Sequence, residues 1–268
     1  MAQPVKLSPI RPNQGLRLRY ERAMLAPIEE MHKSVLYWLQ AQYRDAPPAL
    51  AQDAKPVPSK VMQKRFKELA KKWLKRFDDA APKIADAYLK GSFKATDSAM
   101  RAALAKSGIS VKFKMTRPMR DAFDASLNAN VGLIKSIPQR YLLQVEGIVS
   151  RSYAEGRDLG SMVKDLKALY PKAARRAKFI ALDQSNKANS VVENARRQQL
   201  GIDRAVWQHS AGGKVPRPEH VKATGRVYDI TKGCPIKNEK GVLELIQPGQ
   251  KPFCRCVSLS VIPGLKRA

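Results

Sequence analysis

Along residues 16–200 the apolar side chains recur every three or four positions, the spacing of one helix face. Between residues 16 and 43 the stripe is Leu18, Met24, Leu25, Ile28, Met31, Val35, Leu36 and Leu39. Pro27 lies inside it, and an interior proline removes a backbone hydrogen bond and clashes with the preceding turn, so a kink or break is expected there. Between residues 60 and 77 the stripe is Val61, Met62, Phe66, Leu69, Ala70, Trp73, Leu74 and Phe77. A third runs from 173 to 200, with Ala177, Ile180, Ala181, Ala188, Val191, Val192 and Ala195 on one side and Gly201 as its stop signal. Residues 78–106, 117–127 and 138–169 also read as mostly helical. Pro82, Pro118 and Pro138 sit near the starts of these stretches, where a first turn tolerates proline.

After Gly201 the texture changes. Short β-prone runs at 205–209, 226–230, 242–246 and 256–262 are separated by Gly, Pro and Asn. The pattern therefore predicts an α+β chain: a mainly helical region over 1–200, with a Pro-rich linker near 46–59, then a small β-rich module over 201–268. A module of this size buries little core and commonly needs a staple.

Charge sharpens the picture. Fifty Lys and Arg against 23 Asp and Glu give a formal net charge of +27, which predicts a polyanionic partner. The polar side of the 60–77 stretch is basic. Lys64, Arg65, Lys67, Lys71, Lys72, Lys75 and Arg76, with Arg175 and Arg176, are the candidate nucleic-acid contacts. The same run also fits an anionic membrane surface or the solvated face of a core helix. No run of about 18 apolar residues occurs, so no membrane-spanning helix is expected. The opening MAQPVKLSPIRPNQ lacks an apolar region, so no secretory leader is expected. Gly-rich phosphate loops, GxSxG and HExxH are absent, and the adjacent Glu219 and His220 are a weak acid–base pair, so the expectation is a protein that is not an enzyme.

All three cysteines follow Gly233. Cys234, Cys254 and Cys256 with His220 make a Cys₃His donor set of the kind that tetrahedral zinc takes, with His209 as a substitute ligand. The single residue between Cys254 and Cys256 is shorter than the usual spacing in structural zinc sites. The alternative is that the cysteines are small buried hydrophobes and His220 makes a hydrogen bond.

The series Trp207, Arg217-Pro218-Glu219-His220, Gly225, Pro248-Gly249 and Cys254-Arg255-Cys256 resembles the Mu F-like phage head morphogenesis proteins, which are minor head proteins of tailed phages. The helix ending at 195–202 resembles the one that leads into that domain, so the resemblance covers roughly 140–262. It implies a virion structural protein that acts in head assembly near the portal. Its partners would be a portal or capsid protein and double-stranded DNA, with no membrane, and its places the virion and the host cytoplasm during assembly. It implies neither catalysis nor metal, and Cys234 is outside it. The wide stripes of the first two helices are expected either to meet the portal or capsid or to face the chain's own core. Two rival readings are a non-viral nucleic-acid-binding module with a zinc-stabilised tail and an effector nuclease.

Overall fold

The computed structural model describes residues 4–45, 59–154, 159–212 and 215–266. The elements run β1 (Pro4–Lys6), α1 (Gln14–Asp45), α2 (Ser59–Ala105), α3 (Arg117–Ala154), α4 (Leu159–Lys167), α5 (Leu169–Gln199), β2 (Arg204–Gln208), α6 (Pro218–Lys222), β3 (Val227–Asp229), β4 (Cys234–Lys237), β5 (Leu243–Ile246) and β6 (Val257–Lys266). The chain is α+β, mainly helical before residue 200 and with its antiparallel strands concentrated after it. Most of the Pro-rich segment near 46–59 lies outside the described residues; Ser59 already opens α2.

The helices are longer than the prolines suggested. Pro27, Pro82 and Pro138 each lie inside one uninterrupted helix, and 60–77 and 78–106 are a single element. Each proline costs a hydrogen bond, but packing of the apolar face, not propensity, supplies most helix stability in a protein. Met24 and Ile28 beside Pro27, Ala81 and Ala85 beside Pro82, and Ile137 and Tyr141 beside Pro138 are all buried.

Two compact units form. One comprises residues 19–86 and 128–180 and is helical. In it the expected stripes turn inward: Met24, Ile28, Met31, Val35, Leu39, Phe66, Trp73 and Phe77 are buried. These residues are therefore not free to dock on a portal or capsid. Its polar pairs are equally internal. Tyr20 donates to Asn130 Oδ1 at 2.7 Å, and His32 Nδ1 lies 2.6 Å from the Tyr141 hydroxyl.

The other unit comprises residues 1–18, 87–127 and 181–268, so the division does not fall at residue 200. Its four-stranded antiparallel sheet has the order β1-β6-β2-β3, and β4 pairs with β5 in a separate hairpin. The N-terminal strand thus joins the C-terminal module, with Lys6 opposite Val261. The C-terminal half of α5 is tied to β6 by a buried polar network. Arg197, 1% exposed, donates to Ser260 Oγ at 2.8 Å and to the Ser258 carbonyl at 3.2 Å, and pairs with buried Glu193. Gly201, at φ +68°, ends α5, and the Ile202 N–H returns to the Arg197 carbonyl at 2.9 Å.

Candidate metal centre

Strand β2 alternates so that Ala205 and Trp207 enter the module's core with Tyr228, Ile230, Ile236 and Ile246. Fully buried Trp207 donates its indole N–H to the His220 carbonyl at 3.0 Å, and its ring meets the His220 ring edge-on, centroids 5.1 Å apart. His220 rides on α6, which Pro218 starts in the position proline favours. This fixes the imidazole from one side.

From the other side, the segment before β6 delivers Cys254 and Cys256. Residues two apart on an extended chain share a side, which is why a single spacer suffices to bring both sulfurs together. The approach is held against α5: the Phe253 N–H donates to Asp183 Oδ1 at 2.8 Å, and Phe253 has φ +58°, a conformation bulky residues rarely adopt. Gly249, at φ +82°, passes α5 so closely that an added Cβ would stand 3.0 Å from the Asn186 carbonyl oxygen.

Cys254 Sγ and Cys256 Sγ lie 3.5 and 3.7 Å from the same atom, His220 Nδ1. The donor atoms of all three residues fall within 4.8 Å of one another, and all three residues are buried. Both sulfurs thus converge on one imidazole nitrogen, an arrangement open to a hydrogen-bonded cluster as well as to a shared ion. A tetrahedral ion about 2.3 Å from sulfur and 2.0–2.1 Å from nitrogen sets those donors about 3.5 Å apart, which matches both separations. The triad is a set of residues that can hold a metal ion.

The thiols' own electrostatics agree. A hydrogen bond from Cys256 holds Cys254 well below the usual thiol range, against the cost of burial; His220 and the backbone N–H groups of Cys256 and Gly249 help. Cys256 is pushed up by its bond to Cys254, by burial and by the charge of that neighbour, while the Ser210 N–H and the Arg217 cation pull it back. Metal binding takes both sulfurs as thiolates, so a divalent cation would release their protons.

Cys234 does not join this group. It opens β4 opposite Ile246, is fully buried in the module's core, and has its thiol raised by burial and lowered by Arg226. The spacing could not reveal this, because separation along the chain does not say which face of β4 the sulfur takes. His209 also stays outside: its Nδ1 accepts from the Ala211 N–H at 3.2 Å. Arg217, Asp183 and Gly249, which frame the site, carried no signal as a metal-site motif.

The basic candidates lie elsewhere. Lys64, Arg65, Lys67, Lys71, Lys72, Lys75 and Arg76 are all exposed on α2. Arg65 is drawn to Gln42 Oε1 at 2.6 Å, and Arg76 pairs with Glu30 and lies over the Trp73 ring. Arg175 is exposed, whereas half-buried Arg176 donates to Ser136 Oγ at 2.7 Å and is held below the usual guanidinium range by burial and by Arg140.

Over 136 residues the chain is 33% identical to an uncharacterized protein of Haemophilus influenzae, covering 50% of this chain and 28% of that protein. The chain thus spans under a third of that relative's length. No protein-family model matches, and no solved structure matches at a significant level. Among the described residues, no helix is long and apolar enough to cross a membrane.

Proposed function

We propose that the chain is a structural, non-enzymatic protein of phage head assembly that contacts double-stranded DNA through α2, with a C-terminal module held together by a zinc ion. The observation that carries the DNA contact is the placement of charge. Lys64, Lys67 and Lys71, with Gln63 and a single carboxylate, Glu68, line a shallow open cleft of about 390 Å³ on α2, with Lys72 and Lys75 exposed on the same helix. Lysines without a carboxylate pair are available to displace counterions from a phosphate backbone, and the net charge of +27 draws that backbone in from a distance. The role in the head, with a portal or capsid partner and a place in the virion and the host cytoplasm, is supported by the resemblance carried by Trp207, Arg217–His220 and Cys254–Cys256.

Zinc is the metal that best suits two thiolates and an imidazole, a soft-to-borderline donor set. A bound ion would stabilise a module with so small a core, because the unfolded chain has no such site.

The test is duplex DNA binding followed by fluorescence anisotropy as salt is raised. Affinity should fall steeply, and a K64E/K67E/K71E variant should bind at least tenfold more weakly with a shallower salt slope, since each lost phosphate contact removes roughly one unit of slope. A flat salt dependence would refute the DNA contact. Absence of the protein from purified virions of its phage would refute the structural role.

A further inference from the structure

The triad supplies three donors, and tetrahedral zinc takes four. Cys234 and His209, the further donors that the sequence offered, lie outside it. A site with three protein ligands keeps an open position.

His220 also belongs to a cleft. Its charged lining is Arg217, Glu219, Glu239, Lys240, Glu244 and Lys251, three carboxylates against three cations, around a space of about 260 Å³, large enough for a small ion and its first waters. Charge decides what that space favours. A divalent ion with two thiolates and a neutral imidazole sums to zero, so an anionic fourth donor would leave one uncompensated negative charge at a buried site. Arg217 supplies the compensation. One guanidinium nitrogen donates to the Pro252 carbonyl at 3.1 Å, which fixes the cation at the cleft and leaves its other N–H groups for a ligand. Lys251 is already paired with Glu244.

We propose that the fourth donor is an exogenous anionic oxygen, from a carboxylate or a phosphate, admitted through this cleft and held by Arg217. The inference rests on the metal reading above. It makes the module a site that recognises an anionic group as well as a stapled fold.

The test uses the full chain loaded with Co²⁺, whose spectrum reports its donors. Sulfur-to-cobalt charge-transfer bands, absent in Cys254→Ser, establish the metal site; no cobalt binding by the wild type would bring down the metal reading and this inference together. The loaded protein is then titrated with acetate in one arm and dimethyl phosphate in the other. The visible d–d bands should shift saturably. Arg217→Ala should raise the half-saturating concentration on the order of tenfold, as loss of a charge-assisted hydrogen bond does. A response to acetate alone assigns the ligand to a carboxylate, and a response to dimethyl phosphate alone to a phosphodiester. Cobalt bound through both sulfurs with bands indifferent to both anions would overturn the inference and leave the metal site standing. So would bands that Glu219→Gln alters and neither anion moves, since Glu219 would then be the fourth donor. An anion response unchanged in Arg217→Ala would overturn the role of Arg217.

Discussion

Gly249→Ala tests how the fold builds the site. Gly249 has φ +82°, so any L side chain there is strained by about 1–2 kcal/mol. An added Cβ would also lie 3.0 Å from the Asn186 carbonyl oxygen, 3.4 Å from its carbon and 3.4 Å from Ser190 Cβ. The first two atoms are backbone of α5 and cannot rotate away, so the loop must move, at an overpacking cost of about 1–3 kcal/mol. The sum is about 2–5 kcal/mol. Gly225 provides the control: its φ is +88°, but nothing lies within 4 Å of an added Cβ, so Gly225→Ala should lose only the conformational cost, about 1–2 kcal/mol. In a chain of this length each kcal/mol lowers the melting temperature by about 2 °C or slightly more. Thermal melting by circular dichroism should therefore place Gly249→Ala clearly below Gly225→Ala. Because Gly249 seats the loop that leads into Cys254 against α5, only Gly249→Ala should weaken zinc binding, measured by competition with a chromogenic chelator. Equal melting temperatures and equal zinc affinities in the two variants would show that the close approach to α5 does not position the cysteines.

Two further outcomes are expected. His220→Ala, Cys254→Ser and Cys256→Ser should each lose zinc, read by elemental analysis, and melt earlier, while Cys234→Ser should keep one zinc per chain; loss of zinc in Cys234→Ser alone would contradict the triad. Burial pushes the Glu193 carboxyl up to about 7 despite Arg197 and Asn189, so its contribution to stability is full below about pH 4.5 and is lost as pH rises through 7. Denaturant melts should show wild type losing ground to Glu193→Gln across that window, and parallel pH profiles would refute it.

The periodicity of the sequence was enough to find helix within α1, α2, α3 and α5, because a buried stripe at 3–4 spacing has one regular solution, but it left residues 128–137 of α3 unassigned. Cys254 and Cys256 could be named as donors, but their single-residue spacing counted against a shared site until the structure brought both sulfurs to His220. Helix continuity through Pro27, Pro82 and Pro138 was not legible, because its energy comes from Met24, Ala81, Ile137 and their neighbours meeting other helices. Nor was strand β1, whose three residues carry little pattern of their own and are ordered by the β6 edge they complete. The α2 lysines could be named from composition, but that Arg65, Arg76 and Arg176 are engaged by Gln42, Glu30 and Ser136 depends on partners 23 to 46 positions away. At the metal centre the sequence determined which residues have suitable donor atoms. Only the tertiary structure decided that His220, Cys254 and Cys256 converge while Cys234 enters the core, because coordination depends on side-chain direction in space and spacing along the chain constrains that only within one element.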